Sequence, residues 1–519
     1  MKNVTWHQPM GLAGTRVTRW LRRPAATSTV VAVVVATIVS FVVACILFAR
    51  PYSGDSFEFL PSSWAVSRGQ WTCAYPATAW NTPQQLVSTH LAAPLFSLVI
   101  ALLLSLWHFS SAIAFPTLSA MGPHCTHALA LTEQWIARAN VATASLWIGV
   151  VGWLALLGAV LYYLARTPRG VTHAALAAFV AATCGATIFW TFGFNYHPQD
   201  LFAIALVVVA ITSASRQRWL TAGVFVGLGL LTQQFVILAA IPLVVVAWHH
   251  RRWRLIAGAA LSYAVIAGPL LWLTSGRTWP TLVSGSSRIK FLSSARFHSS
   301  GGTWLAGLHL YGTALFAVAR AAPILVSLIL SVLAVRQDSR SRLLELGPLT
   351  ALVGLGLSMR LVFEQNLFPY YFAPMAVMLI LAVNAMAARS DLVVTWLWFT
   401  TIGFSPLFDT FMRAPINPTR TLISTSTWLL LAIPVIVIIV NLFRRHLVFY
   451  QPLTLIIALV MFHAPMTGLG VHASLWASQL VLTSLGLYVL GSALFSALAE
   501  RSLDPQTSVE LADSRERAR

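Results

Sequence analysis

Apolar runs of about 18 to 25 residues recur along nearly the whole chain, and such a run is what an α-helix needs to cross roughly 30 Å of hydrocarbon. Little is left over for anything else. The longest stretches without a membrane-length run follow the first span and Leu273, and neither predicts a water-soluble domain of ordinary size. With 58% hydrophobic and 9% charged residues, the expectation is an all-α, polytopic membrane protein of about 12 to 14 transmembrane helices. The formal charge of +19 invites a nucleic-acid reading. The arginines, however, come as small clusters between apolar runs, with no basic stripe or aromatic interleaving, so no nucleic-acid partner is expected. They read as topology signals, and membrane lipids are the expected surroundings.

Topology follows from charge and length. The run 28–49 lacks a small-residue cleavage site and reads as a retained span, preceded by a cytoplasmic tail over 1–27 with Lys2, Arg16, Arg19, Arg22 and Arg23. The apolar piece 93–107 is short for a crossing. If it does not span, 22 of the 33 basic residues fall on the cytoplasmic side; if it does, most of the clusters flip outward. The non-spanning reading makes 50–143 one long external loop. Further spans are then expected at 145–165, 171–192, 199–214, 219–232, 235–249, 255–274, 310–335, 346–361 and 369–387, with C-terminal helices over 391–498 and a polar cytoplasmic tail at 499–519. Around Thr232, Gln233 and Gln234, two short helices meeting at a tip keep the flanking arginine clusters on one side. A single long helix would not.

With this topology Asp55, Glu58, Glu133, Asp200, Glu364 and Asp409 all fall at or beyond the external helix ends. Ionised groups near lipid are costly and rarely kept without a use. Asp55 opens the first external loop and suits a general base, or the cap of a short helix; Glu58, three residues on, suits a capping-box partner or a site residue. His197, Gln199 and Asp200 surround Pro198, which suits a helix first turn, where Asp200 also complements the helix dipole. Gln233 and Gln234 sit at the tip. In RLVFEQNLFPYY (360–371), Arg360 and Glu364 are four apart, as an ion pair or as ligand contacts. Gln365 lies beside them, and Tyr370 and Tyr371 suit an interfacial belt or a surface for a sugar ring. Arg288, Lys290 and His298 form a cationic loop that fits a phosphate or anionic headgroups. No nucleotide-binding, zinc-protease or serine-hydrolase motif is present, and neither metal nor cofactor is expected. Cys73 and Cys125 share the first external segment, where oxidation is permitted, and are expected to form a disulfide, with two free thiols as the alternative.

The first loop opening with an Asp (YSGDSFEFLPSSWAVSRGQWTCAYP), followed by HPQDLFAIAL, LLTQQF and RLVFEQNLFPYY on many helices, resembles the GT-C glycosyltransferases. More closely, it resembles the actinobacterial polyprenyl-phosphate-sugar-dependent group that includes mannosyltransferases, in a branch marked by the HPQD and RLVFEQN stretches. The likeness covers roughly residues 28–390 and implies a transmembrane catalytic module there. It implies inverting transfer of a hexose, mannose-like, from a polyprenyl-phosphate-linked donor to a lipid or glycan acceptor hydroxyl in the cell envelope, with Asp55 as base. The sequence has no paired acid at Asp55, which counts against a metal-dependent variant of that chemistry. A transporter or lipid flippase, or a non-catalytic envelope-assembly protein, stands as the alternative. A transporter would favour broken helices and ionisable groups near mid-membrane, often in related halves.

Overall fold

The structure, a computed structural model, describes residues 23–48, 94–106, 139–167, 170–189, 191–192, 196–275, 312–338, 341–364 and 369–386, with scattered positions between 63 and 71 and between 483 and 498. Among these the elements are α-helices and short 3-10 turns, with no strand. In order they are α1 (Thr27–Phe48), α2 (Pro94–Leu106), α3 (Ala139–Leu164), α4 (His173–Cys184), α5 (Ala186–Phe189), α6 (Pro198–Ser215), α7 (Trp219–Leu230), α8 (Val236–His249), α9 (Arg254–Leu273), α10 (Gly312–Gln337), α11 (Leu346–Phe363) and α12 (Phe372–Met386). Among the described residues, four segments, Pro198–Ser215, Arg254–Leu273, Ala317–Gln337 and Leu346–Phe363, are long and apolar enough to cross a bilayer. The protein is an all-α, polytopic membrane protein.

One expected span is corrected. The run 171–192 is not a single helix: α4 stops at Cys184, and Gly185 turns to an extended ψ of 159° while its N–H still donates to Ala181 O. The four-residue α5 follows. The Thr183 and Thr191 hydroxyls donate back to the carbonyls of Phe179 and Thr187, a local alternative to helix bonding that eases bending and that hydropathy does not register. The tip between α7 and α8, by contrast, forms as expected. Thr232 and Gln233 both donate backbone N–H groups to Gly229 O, and Ile237 donates to Gln234 O, so the chain reverses within a few residues.

Alternation of the helices defines two ends of the bundle. At one, Pro24 bridges to Thr172, His173 N donates to Arg23 O, and Asp338 accepts from the backbone N–H groups of Arg342 and Leu343. Arg342 also donates to Ala497 O, which brings both flanks of the described chain to this end. The loops with Arg166, Arg216, Arg218, Arg251 and Arg252 join them here, so this is the basic end. Near it the buried Tyr163 hydroxyl ties three helices, lying 2.9 Å from Thr350 Oγ1 and donating to Leu381 O. Its burial is affordable because the phenol has partners.

Helices α7 and α9 run parallel from the basic end and meet backbone to backbone. A Cβ on Gly223 would fall on the Leu255 carbonyl, and one on Gly258 would fall on the Leu220 carbonyl. Small residues at such contacts let helices approach where no hydrophobic force joins them in lipid. Gly258→Leu is therefore expected to destabilise the fold by about 1–3 kcal/mol or more through overpacking, read as a lower melting temperature of the purified protein in detergent. An unchanged melting temperature would mean that α9 does not seat on α7 in this way.

Candidate functional site

The start of α6 is fixed from three sides. Gly152 of α3 leaves room for Pro198, since a Cβ there would land on the Pro198 carbonyl. Tyr196, fully buried, takes a left-handed φ of 56°, a conformation that non-glycine residues adopt rarely. The His197 N–H donates to Thr191 O at 2.6 Å. Proline at the first helical position loses no hydrogen bond, because that N–H has no intrahelical partner anyway. The outcome is that His197, Gln199 and Asp200 all point into the bundle, at 4%, 0% and 3% exposure. Gln199 Nε2 lies 3.0 Å from His197 Nδ1; with the amide donating, the imidazole is neutral and carries its proton on Nε2.

Opposite stands the end of α11. Arg360 Nε donates to Glu364 Oε2 at 3.2 Å, with the two side chains 22% and 19% exposed. The guanidinium lies 3.7 Å above the Tyr371 ring centroid and 5.5 Å from that of Phe235, a cation held on aromatic faces. Asp200 is near enough for its charge to act on Arg360. Tyr370 stacks on His197, ring centroids 4.0 Å apart at 19°, and meets Tyr371 edge-on at 4.5 Å. One cluster thus joins α6, the α7–α8 tip, α11 and the 3-10 turn Pro369–Tyr371, at the end remote from the basic loops.

Helix lengths differ among the elements that meet at the cluster. Helices α7 and α8 have 12 and 14 residues against 18 in α6 and in α11, or roughly 18 and 21 Å against 27 Å at 1.5 Å per residue. The tip brings Phe235 to 5.5 Å from the Arg360 guanidinium, three residues before the end of α11. Helix α2 closes on the same tip: Leu95 N donates to Leu231 O, and the buried Phe96 packs on Phe202 of α6 at 5.7 Å.

Of the residues expected to form a site, His197, Gln199, Asp200, Arg360, Glu364, Tyr370 and Tyr371 come together. Gln233 and Gln234 occupy the tip beside Phe235. Asp55, Glu58, Arg288, Lys290, His298, Gln365, Cys73 and Cys125 lie outside the described residues; Cys45 and Cys184 are free thiols. Phe235 and Tyr196 were not singled out by sequence, since an aromatic in an apolar protein gives no signal.

Fold and site define a helical membrane protein with a part-buried cluster of cation, carboxylate and aromatic groups at one end of its bundle. The chain is similar in overall course to ArnT from Cupriavidus metallidurans, in a crystal structure bound to undecaprenyl phosphate, at 15% identity and a TM-score of 0.44, over 91% of this chain and 78% of that one. No family model matches the sequence, and no curated protein matches it.

Proposed function

We propose that the protein is a GT-C-type glycosyltransferase that moves a hexose, mannose-like, from a polyprenyl phosphate carrier to a hydroxyl of a cell-envelope lipid or glycan on the external face. The observation that carries this reading is the part-buried cluster around Arg360. A guanidinium held on the Tyr371 face beside Glu364 and Asp200 suits a leaving phosphate, where preorganised positive charge acts best with water excluded. The adjoining His197, Gln199 and Tyr370 offer hydrogen-bonding and stacking groups of the kind sugars need, and a lipid-borne donor requires no soluble nucleotide-binding domain.

The acceptor oxygen attacks the anomeric carbon from the face opposite the phosphate. The new C–O bond forms as the bond to the phosphate oxygen breaks, the configuration inverts, and the carrier leaves as polyprenyl phosphate. Asp55 takes the hydroxyl proton. Its position along the chain supports this: α1 ends at Phe48 at the site's end of the bundle, and the chain returns at Pro94 on the tip. The seven residues from Phe48 to Asp55 can span up to about 25 Å. With Arg23 and Arg342 gathered at the opposite end, charge bias supports a cytoplasmic location for that end and an external one for the site.

The test is transfer from a labelled polyprenyl phosphate hexose by the purified protein in liposomes, with envelope lipids and glycans as acceptors. Labelled product of inverted configuration together with released polyprenyl phosphate is expected. Movement of lipid or solute across the bilayer with no transfer would sink the proposal in favour of a transporter.

A further inference from the structure

Two turns at the basic end of the bundle repeat one design. Between α6 and α7 the chain reverses through Arg216, Gln217 and Arg218, with Gln217 at a left-handed φ of 62° and the Arg218 N–H donating to Ser213 O. Between α8 and α9 it reverses through Arg251 and Arg252, with Arg251 at a φ of 55° and the Arg252 N–H donating to Ala247 O. A left-handed residue followed by such a bond closes a helix tightly, so both turns hold their backbones fixed. Arg254 opens α9 just beyond. All five arginines are exposed, and among the described residues no carboxylate pairs with any of them. Asp338, whose charge reaches the neighbouring His250, is already held by the N–H groups of Arg342 and Leu343.

The turns lie side by side. Helices α7 and α9 start from them and touch almost at once, Gly223 against the Leu255 carbonyl and Gly258 against the Leu220 carbonyl, which places their axes at or inside the usual ~8–10 Å spacing. Next to the arginines stand Trp248 and Trp253, 61% and 49% exposed and edge to face at 4.2 Å, the kind of aromatic pair that settles at the headgroup level of a bilayer. Further along, Leu220 of α7 and Leu261 and Val265 of α9 present exposed apolar surface.

We infer that the paired turns bind a phospholipid carrying two phosphates bridged by one glycerol, the diphosphatidylglycerol class, in the leaflet at the basic end. Guanidinium groups grip phosphate oxygens in a planar, two-pronged way that an ammonium does not match, and two arginine turns one helix spacing apart suit two phosphates on a three-carbon bridge. Basic pockets between membrane helices take such headgroups. A soluble diphosphate has no use for the tryptophans or for the apolar surface of Leu220 and Leu261, and a lipid with one phosphate fills one turn and leaves the other unpaired. The site stands at the opposite end of the bundle from the Arg360 cluster and is independent of any sugar chemistry there.

The test uses the full-length protein in phosphatidylcholine nanodiscs, titrated with diphosphatidylglycerol, with phosphatidylglycerol at equal charge, and with inorganic pyrophosphate. Saturable binding of diphosphatidylglycerol is expected, about ten-fold tighter than that of phosphatidylglycerol, with none of pyrophosphate at the same concentration. Arg216→Gln with Arg218→Gln, or Arg251→Gln with Arg252→Gln, should each weaken it by about 25-fold, at about five-fold per arginine near the membrane surface. The corresponding Arg→Lys pairs should keep part of the affinity, and all variants should melt as the parent does in phosphatidylcholine alone, since these side chains are exposed. Equal affinity for phosphatidylglycerol or for pyrophosphate overturns the inference, and these comparisons on the parent protein need no variant. Undiminished binding by either Gln pair, or no saturable binding by the parent, overturns it too.

Discussion

Arg360→Gln is expected to lower sugar transfer by about 10²- to 10³-fold, the usual cost of removing a preorganised donor aimed at developing negative charge. The reason is the guanidinium's setting, 3.7 Å above Tyr371 with Nε on Glu364. It is held in orientation before any substrate arrives, so little reorganisation is needed as the phosphate leaves. The substitution also takes a partner from Glu364, near Asp200, and breaking a part-buried ion pair lowers stability. Stability therefore has to be measured beside rate. The double variant Arg360→Gln, Glu364→Gln removes the carboxylate as well, and it should recover part of the melting temperature while transfer stays low. Arg360→Lys keeps the charge without the flat face that fits Tyr371 and should fall between. Near-parental turnover by the Gln variant, or recovery of turnover along with stability in the double variant, would reduce Arg360 and Glu364 to a structural ion pair.

Asp55→Asn is expected to lower transfer by about 10²- to 10⁴-fold while leaving expression and carrier binding intact. An amide matches the carboxylate in shape and caps a helix about as well, but it cannot accept the proton of the attacking hydroxyl. The pair of substitutions separates two jobs. Loss at Asp55 should leave polyprenyl phosphate binding unchanged, whereas loss at Arg360 should weaken it. An Asn variant that transfers sugar at close to the parental rate would remove Asp55 from the mechanism.

Much of the helical framework was legible because two independent signals coincided. Length and apolarity marked spans at 199–214, 235–249 and 255–274, and the arginine clusters at their ends stopped them; the helices run Pro198–Ser215, Val236–His249 and Arg254–Leu273. The α7–α8 tip was reached by charge logic alone. The break at Gly185 was missed because mean apolarity says nothing about where a backbone turns. Within the site, Arg360 with Glu364 was readable from helical spacing, since both partners lie on one face. The stack of His197 on Tyr370 joins residues far apart in the chain, and nothing local encodes it.

The shortness of α7 and α8 bears on the membrane as much as on the protein. Hydrocarbon is roughly 30 Å thick, and a hairpin of about 18 to 21 Å that shows Leu220 and Ile237 on its outer side cannot match it. The mismatch is relieved by thinning of the bilayer beside the hairpin or by headgroups and water sinking into the shortfall. Either response brings the polar boundary of the membrane down toward the level of Phe235 and Arg360. On the proposed function, a lipid phosphate would then approach the guanidinium without leaving its hydrated layer, and much of the desolvation opposing sideways loading of a charged substrate would be avoided.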